Sequence, residues 1–531
     1  MTNAKTRGET IELHGDIWKH IQPGEVVLDA QGITKRYPGG VLANDHIDFK
    51  VKAGEIHAIL GENGAGKTTL MSILFGLLQP DEGEIYIRGL KVRFRSPEDA
   101  IKMGIGMVHQ HRKLIPAHSV LENILLGHPR SKGVMKLKEA EEEVAALAKR
   151  YGFEIDIRAK VWQLTEGEKQ VVEIVKALYR GAKILILDEP TSALTPLETD
   201  RLLESIESMT QDALGVVPFI THKLPVVLAI SDEVTILRRG RVVDRLKTAE
   251  ATEQILAQKM VGRPVIFDLQ KQPVEPGEPV IQVENLSARN NKGVMALNQV
   301  SFTVREGEIL GIAGVAGNGQ HELAEALFGL RPIEGGRILF LRRDITRASV
   351  QERWKLGMGY TPSERTEVGS IPDFSLIENV AMNYYFDARF NHRGLLDYGG
   401  LRRLTEQIID EFDVATPGPD VNIRTLSGGN LQKVILGRVL SRHPKLVIAN
   451  LPAQGLDVGA TEFVQRQLLA AREQKAAVIL ISEDLDEILS LSDWIAPMYE
   501  GEMVDIIPAA EAKKEVIGAM IAGVHQQERE S

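Results

Sequence analysis

Residues 61–68 read GENGAGKT and fill every fixed position of the phosphate-binding pattern G-x-x-x-x-G-K-[ST]. The apolar run EIHAIL precedes this motif and the helical run TLMSILFGLL follows it, so the sequence predicts a strand, a glycine-rich loop and a helix. In that arrangement the loop amides and the positive end of the helix bind phosphate oxygens. Lys67 is expected to neutralise phosphate charge, and the Thr68 hydroxyl is expected to bind Mg²⁺.

A second motif supplies two carboxylates. Residues 184–190 read ILILDEP, an apolar run typical of a buried strand that ends in Asp188 and Glu189. An acidic pair at a strand end is ordinarily only a solvated turn. Roughly 120 residues beyond a phosphate loop, however, Asp188 can hold Mg²⁺ through water, and Glu189 can orient and deprotonate an attacking water molecule. The two motifs together predict transfer of a phosphoryl group to water.

The motifs occur twice, in the same order, 253 to 262 residues apart. The run AGEIHAILGENGAGKTTLMSILFGLL at 53–78 returns as EGEILGIAGVAGNGQHELAEALFGL at 306–330. Likewise, LTEGEKQ at 164–170 returns as LSGGNLQ at 426–432, and ILILDEP returns as LVIANLP at 446–452. Such a repeat predicts two copies of one domain of about 240 residues.

Each copy alternates short β-branched runs with helical stretches, which predicts an α/β domain with a largely parallel sheet. Residues 136–151 and 398–413 have the periodicity of amphipathic helices and are expected to belong to an inserted helical region. The predicted domains are an N-terminal extension (1–23), domain 1 (24–262), a proline-containing linker (263–279), domain 2 (280–526) and a C-terminal tail (527–531).

Composition narrows the class of protein. The 531 residues carry 63 basic and 73 acidic side chains, a net charge of −10, which disfavours a protein that mainly coats nucleic acid. The absence of cysteine excludes disulfides and thiolate metal sites. No apolar run approaches the roughly 18 residues of a membrane helix, and the N-terminus lacks the pattern of a secretory signal, so a soluble cytoplasmic chain is expected.

The run LSGGNLQ at 426–432 matches the signature motif of ABC transporters. The sequence therefore resembles the ATP-binding subunits of these transporters. The resemblance covers roughly residues 24–526 and is to the form in which one chain carries two nucleotide-binding domains. It implies an α/β fold of two tandem ABC-type P-loop ATPase domains. Each would have a mixed sheet with a mostly parallel core and an inserted helical subdomain. ATP and Mg²⁺ are the implied cofactors.

The resemblance also assigns roles to residues. Tyr37 in TKRYPGG is similar to the adenine-stacking aromatic, Gln110 in MVHQ to the Q-loop glutamine, and His222 in ITHKL to the switch histidine. The implied catalytic residues are Glu189, His222 and Gln110, and the implied Mg²⁺ ligands are Thr68, Gln110 and Asp188. The implied ATP-binding residues are Tyr37, Gly61, Glu62, Asn63, Gly64, Ala65, Gly66, Lys67, Thr68, Thr69, Ser427, Gly428, Gly429 and Asp457.

The two copies depart from the family pattern in complementary ways. The second copy has lost the catalytic side chains: its substitutes are Gln320, His321, Ser363, Asn450, Leu451 and Glu483. The first copy has Thr165 and Glu166 in its signature and Thr195 in place of the aspartate that the second copy keeps as Asp457. In ABC proteins each ATP lies between the Walker motifs of one domain and the signature of the other. Head-to-tail pairing within the chain is therefore expected to leave one complete composite site and one degenerate site.

Within this family, the sequence resembles the ATPase subunits of importers of simple sugars and nucleosides. The stretches MVHQHRKLIPAHSVLENILLG, GIAGVAGNGQ and LVIANLPAQGLDVGA resemble the nucleoside branch. The implied partners are two transmembrane permease subunits and, indirectly, an extracellular or periplasmic substrate-binding protein, with no nucleic acid. The chain would then lie peripherally on the cytoplasmic face of the membrane. The alternatives are a soluble tandem ABC ATPase acting on ribosomes or nucleic acid and a non-catalytic scaffold.

Overall fold

The computed structural model describes residues 17–38, 40–109, 113–128, 137–191, 194, 196–211, 215–220, 224–265 and 271–523. The chain divides into two compact units, residues 1–265 and 266–531. None of the helices within the described ranges combines the length and the apolar composition that crossing a membrane requires.

The first unit contains ten strands and eight α-helices within its described residues. In chain order they are β1 (Val26–Arg36), β2 (Leu42–Lys52), β3 (Ile56–Leu60), α1 (Lys67–Leu74), β4 (Glu82–Ile87), β5 (Leu90–Val92), α2 (Pro97–Lys102), β6 (Ile105–Val108), α3 (Val120–Leu125), α4 (Leu137–Arg150), α5 (Glu166–Tyr179), β7 (Ile184–Asp188), α6 (Pro196–Gln211), β8 (Gly215–Ile220), α7 (Leu224–Ile230), β9 (Glu233–Arg238), β10 (Arg241–Lys247) and α8 (Glu253–Val261).

These strands form two sheets. An antiparallel sheet has the order β2-β1-β4-β5, and a six-stranded sheet has the order β10-β9-β3-β8-β7-β6. In the second sheet all neighbours are parallel except β10, which runs antiparallel to β9. Every residue of β3, β6 and β7 is buried, as expected for strands of a parallel sheet covered on both faces. The predicted mixed sheet with a mostly parallel core is confirmed.

The helices α3, α4 and α5 lie between β6 and β7 in the sequence and form the inserted helical region. The amphipathic stretch predicted at 136–151 is helix α4, which buries Ala140, Val144 and Ala148. The spacing of these residues places them on one face, so the acidic residues between them point to solvent.

The second unit repeats this plan. Its elements are β11 (Pro279–Arg289), β12 (Met295–Arg305), β13 (Ile309–Ala313), α9 (Gln320–Phe328), β14 (Gly335–Phe340), β15 (Arg343–Asp344), α10 (Val350–Lys355), β16 (Met358–Thr361), α11 (Leu376–Ala381), β17 (Asn391–His392), β18 (Leu395–Leu396), α12 (Tyr398–Glu411), α13 (Gly428–Leu440), β19 (Leu446–Asn450), α14 (Val458–Glu473), β20 (Ala477–Ser482), α15 (Leu485–Leu491), β21 (Trp494–Tyr499), β22 (Glu502–Met503), β23 (Ile507–Pro508) and α16 (Lys514–Ile521).

The strand order of the second unit matches that of the first. Its antiparallel sheet is β12-β11-β14-β15, and its central sheet runs β16-β19-β20-β13-β21 with all neighbours parallel. The short strands β22 and β23 pair antiparallel with β21. The stretch predicted at 398–413 is helix α12, which buries Leu401 and Ile408. In both units the central strands therefore direct their carboxyl ends to one edge of the sheet, where the sequence motifs lie.

Parts of the predicted N-terminal extension and linker contact the units. Trp18 packs beside Gly104, and the Arg88 guanidinium donates to the carbonyl oxygens of Ile17 and Lys19. In the linker, Lys475 Nζ donates to the carbonyl oxygen of Glu275 at 2.6 Å. These segments therefore add hydrogen bonds to the surfaces of their units, and the domain boundaries drawn from the sequence stay a prediction.

A buried guanidinium closes the end of α9. Arg353 is 1% exposed and donates to the carbonyl oxygens of Ala326 and Leu327, in the last turn of α9. It also donates to the carbonyl oxygens of Thr346 and Ala348 at 3.1 and 3.0 Å. The last carbonyls of a helix have no partner within the helix, so they need donors from elsewhere when they are buried. Burial lowers the pKa of Arg353 to about 10, which leaves it charged at neutral pH.

We expect Arg353→Ala to lower the free energy of unfolding of the second unit by about 3 kcal/mol, since it removes four hydrogen bonds of a buried guanidinium and leaves the Leu327 carbonyl oxygen without its donor. Denaturant titration followed by tryptophan fluorescence measures this change. Arg337→Ala is the matched control: it removes an exposed arginine that lies 2.9 Å from Glu284. Its effect should stay below about 1 kcal/mol. Equal losses in the two variants would contradict the role assigned to Arg353.

Candidate functional site

The phosphate-binding motif forms the connection between β3 and α1. Gly64 and Gly66 have φ of 81° and 102°, in the left-handed region that favours glycine. A Cβ on Gly66 would collide with the carbonyl oxygen of Ala43 and lie 2.6 Å from Asn44 Nδ2. Only glycine fits between the loop and β2, so the close turn that starts α1 depends on this residue.

Lys67 is the first residue of α1, and its side chain folds back over the loop. Its Nζ donates to the carbonyl oxygens of Gly61 at 2.6 Å and Glu62 at 3.0 Å. The first turn of α1 contains no acidic residue. The positive end of the helix and the ammonium group therefore lie together, which is the electrostatic arrangement that binds phosphate.

The two carboxylates of the second motif lie at the same edge of the sheet. Asp188 ends β7 and is 5% exposed. Both β3 and β7 pair with β8 in parallel, so Asp188 lies at the edge from which the phosphate loop leaves β3. The Thr68 hydroxyl and the Asp188 carboxylate offer oxygen atoms only, which is the donor set that Mg²⁺ prefers, and these residues fit that ion.

Glu189 has an unusual backbone conformation, with φ of 49°. A non-glycine residue in the left-handed region costs about 1 kcal/mol or more, and such strain is concentrated at functional sites. Leu451, its counterpart in the second unit, has φ of 48°. The strained turn is therefore present in both units, while the carboxylate is present in one.

The structure describes Tyr37, but not the other two residues of the first unit to which the resemblance gives a role outside the two motifs. Tyr37 is 37% exposed, and its hydroxyl lies 3.4 Å from Thr69 Oγ1, which brings the ring beside the start of α1. Gln110 and His222, and also Thr195, lie outside the described residues, and their roles stay predictions.

Asn44 supports the phosphate-binding loop, although none of the sequence motifs includes it. Asn44 in β2 is fully buried, and its Nδ2 donates to the carbonyl oxygen of Gly66 at 3.0 Å. In the second unit the same place beside Gly319 is taken by Ala296 and Leu297. Asn44 and Leu297 occupy equivalent positions of the two copies. A comparison of the two copies could therefore have drawn attention to this asparagine.

In the second unit a neutral amide replaces the ammonium group. Gln320 is 8% exposed, and its Nε2 donates to the carbonyl oxygen of Val315 at 3.1 Å. This side chain folds back over its loop as Lys67 does, but it brings no charge. The left-handed glycines remain, since Gly317 and Gly319 have φ of 94° and 100°.

The positions that would hold Mg²⁺ in the second unit contact each other. Asn450 Nδ2 lies 3.3 Å from His321 Nδ1, and His321 Nε2 lies 3.1 Å from Glu325 Oε1. An imidazole that donates from Nε2 to Glu325 and accepts at Nδ1 from Asn450 makes both hydrogen bonds. Glu483, at the place of the switch histidine, is exposed, and partial desolvation by the surrounding protein raises its pKa. The second unit has therefore exchanged a cation-binding pair for a hydrogen-bonded amide and imidazole.

The two signature helices differ in the charge of their first turns. Ser427 caps α13, where its Oγ accepts from the Asn430 side-chain amide at 2.9 Å, and the first turn of α13 has no acidic residue. Thr165 caps α5 and exchanges two hydrogen bonds with Glu168, at 2.8 and 3.2 Å. Glu166 also lies in that turn. Acidic residues neutralise the positive end of α5, whereas α13 keeps it available for an anion.

The first turns of α13 and α14 pack closely. A Cβ on Gly429 would lie 3.1 Å from the Cβ of Ala460. Asp457 caps α14 by accepting from the Ala460 backbone amide at 2.9 Å. Ser427 and Asp457 are therefore held on adjoining helix ends within the second unit.

Comparison with known sequences identifies a protein family and several relatives. The ABC transporter family model matches residues 44–192 and 297–453. The chain is 45% identical over 530 residues to a glucose import ATP-binding protein of Haloferax volcanii, covering 94% of this chain and 96% of that protein. It is 40% identical over 500 residues to a nucleoside import ATP-binding protein of Lactococcus lactis, covering 94% and 98%. It is 41% identical over 505 residues to a guanosine import ATP-binding protein of Bacillus subtilis, covering 95% and 99%.

A solved structure shares the fold over most of the chain. It is an archaeal ribosome recycling factor in complex with an archaeal ribosomal stalk protein, with a TM-score of 0.61, 19% identity and coverage of 92% of both chains. At that identity the likeness concerns the fold alone. The family match and the relatives confirm the resemblance drawn from the motifs: the chain belongs to the ABC transporter family and is an ATPase with two tandem ABC transporter domains.

Proposed function

We propose that the chain is the ATP-hydrolysing subunit of an importer for nucleosides or for simple sugars such as ribose. The observation that carries the proposal is the phosphate and carboxylate machinery of the first unit, in a chain whose relatives are named for import. The relatives described above are named for import of glucose, a nucleoside and guanosine, and the stretches GIAGVAGNGQ and LVIANLPAQGLDVGA favour a nucleoside as the cargo.

The first unit carries out the chemistry in this proposal. The loop from Gly61 to Thr69 and the Lys67 ammonium group bind the phosphates of ATP, and Tyr37 stacks on the adenine. Thr68, Gln110 and Asp188 would hold Mg²⁺, which would supply further neutralisation of phosphate charge. Glu189 accepts the proton of the attacking water, and His222 and Gln110 hold that water and the γ-phosphate in line.

The second unit assists the first in this proposal and does not hydrolyse ATP itself. Ser427, Gly428 and Gly429 offer a hydroxyl and backbone amides to the γ-phosphate of the ATP held by the first unit, and Asp457 supports them. Gln320 cannot offset phosphate charge, and Leu451 cannot accept a proton from water. Hydrolysis at one of two composite sites follows from this division of roles.

Transport requires partners that bind this chain. We propose two permease subunits in the membrane, with this chain at its cytoplasmic face, and a substrate-binding protein outside that contacts the permeases. Each permease would insert a short helix beside Gln110 in one unit or beside residues 363–365 in the other. Because those stretches differ, HQHRK against PSERT, the two permease chains are expected to differ as well.

We expect affinity purification from a membrane fraction of the source cells to recover this chain with two different permease chains. Mass spectrometry of the purified complex identifies them. A single homodimeric permease would contradict the inference of two different chains, and a complex with ribosomes or nucleic acid in place of permeases would overturn the proposed function.

Glu189→Gln should reduce ATP turnover by roughly 10²- to 10⁴-fold, because the amide cannot take up the proton of water. ATP binding should persist, since Lys67 and the loop are unchanged. Steady-state ATPase assays and a nucleotide-binding assay measure the two effects. Leu451→Gln, at the equivalent strained turn of the second unit, is the matched control and should retain turnover. Substantial turnover in Glu189→Gln would place the base elsewhere.

Ser427→Arg should reduce ATP turnover by about 10²- to 10³-fold, the usual effect of removing a preorganised donor. Thr165→Arg should cost far less, because the first turn of α5 already carries two glutamates and is assigned to the degenerate site. Steady-state ATPase activity compares the two variants. Full activity in the Ser427 variant would remove the proposed assistance from the second unit, and equal losses would make the degenerate site essential.

A further inference from the structure

One side chain in the second unit joins three segments. Arg365 Nε donates to Gln432 Oε1 at 2.9 Å, and a terminal nitrogen of the same guanidinium donates to the carbonyl oxygen of Gln454. Gln432 lies on α13, the helix that Ser427 caps, and Gln454 lies in the loop that leads to Asp457. The guanidinium therefore connects the helix of the signature with the loop that precedes α14.

The segment that carries Arg365 is itself fixed to α13. Ser370 Oγ donates to the carbonyl oxygen of Arg365 at 2.8 Å. The guanidinium of Arg438, a buried residue of α13, donates to the carbonyl oxygen of Gly369. A Cβ on Gly369 would lie 2.9 Å from Ile435 Cδ1, so the segment packs directly on the helix. The backbone of Arg365 has little freedom to move relative to α13.

The contact with Gln432 is not easily replaced. Gln432 is fully buried, and its Nε2 has no hydrogen-bond partner within the described part of the chain. Burial also lowers the pKa of Arg365 by desolvation. Loss of the guanidinium would leave the buried Gln432 amide oxygen without a donor, which destabilises this arrangement.

The guanidinium also lies near the functional end of α13. A Cβ on Gly428 would lie 3.9 Å from a terminal nitrogen of Arg365. Through its contacts with Gln432 and Gln454, Arg365 acts on the two loops that carry Ser427 and Asp457. The motifs assign Arg365 no role in hydrolysis, and its two partners lie 67 and 89 residues away in the sequence.

We infer that Arg365 is a positioning residue for ATP hydrolysis, which holds Ser427 and Asp457 in one fixed arrangement from the segment 363–370. This inference rests on the proposed function, in which these two residues serve the ATP bound by the first unit. Arg365 does not itself bind the nucleotide in this account. Its loss should therefore slow turnover and leave the affinity of the first unit for ATP unchanged.

Arg365→Met removes the donors and keeps most of the side-chain volume. We expect kcat to fall by about 10- to 100-fold, since small displacements of catalytic groups have effects of this size. The KM for ATP should stay within about twofold, because Lys67 and its loop are untouched. Arg365→Lys should also lower kcat, because one ammonium group cannot bridge Gln432 and Gln454 as the planar guanidinium does. Arg402→Met, which removes an exposed arginine paired with Asp420, is the matched control and should behave as wild type.

The full-length protein is used throughout, and circular dichroism checks that each variant is folded. A wild-type kcat in either Arg365 variant overturns the inference, and if Arg365→Met does not fold, Arg365→Lys decides. A rise in KM matching the fall in kcat also overturns it, because that pattern means nucleotide binding. Ser427→Arg measured in parallel separates the two proposals. If that variant is fully active, the proposed assistance from the second unit fails; if it is inactive while Arg365→Met is normal, only the inference about Arg365 fails.

Discussion

The contact between Gly66 and the backbone of β2 is the constraint on which the site depends. A side chain at this position would collide with the carbonyl oxygen of Ala43, and the Asn44 amide holds the Gly66 carbonyl at 3.0 Å. This contact sets where α1 begins and thus where Lys67 and the free amides of the first turn lie. Because β3 and β7 are parallel, Asp188 and Glu189 reach the same edge of the sheet. Backbone geometry and the Asn44 side chain therefore bring the loop, Lys67 and the two carboxylates to one edge of the sheet.

The second unit keeps this backbone geometry although it lacks the charged side chains of the first site. Its loop keeps two left-handed glycines, and Leu451 keeps the strained backbone of Glu189. Gln320 folds over the loop in place of Lys67, and His321 pairs with Asn450 where oxygen ligands would lie. Gln320 and His321 make hydrogen bonds of their own, and the His321 ring also lies beside the Glu325 carboxylate. A fold of this kind is stable whether or not its site can hydrolyse ATP, because the core lies in the strands and helices behind the loop.

The two units also differ in charge at the N-terminal ends of α5 and α13, but here the second unit is the one that favours an anion. The first turn of α5 carries Glu166 and Glu168, and the first turn of α13 carries glycines and no acid. An anion is attracted by the free amides of α13 and repelled at α5. The unit with the intact phosphate loop thus has the poorer signature, and the unit with the altered loop has the better one.

The sequence by itself determined the repeat, the α/β class, the strand–loop–helix at residues 61–68 and the helices near 137–150 and 398–411. These features follow from short-range patterns of glycine, apolar and charged residues, which are legible along the chain. The edge of the sheet where Lys67 and Asp188 both lie could also be predicted, because parallel strands end together. Only the tertiary structure decided that Asn44 holds Gly66, that Arg353 closes α9 and that Arg365 bridges Gln432 and Gln454. The bonds of Asn44 and Arg365 join residues far apart in the sequence, and an arginine or asparagine that is buried has the same letter as one in solvent. Which of them becomes buried depends on the packing of the whole unit, so no local pattern could have identified them.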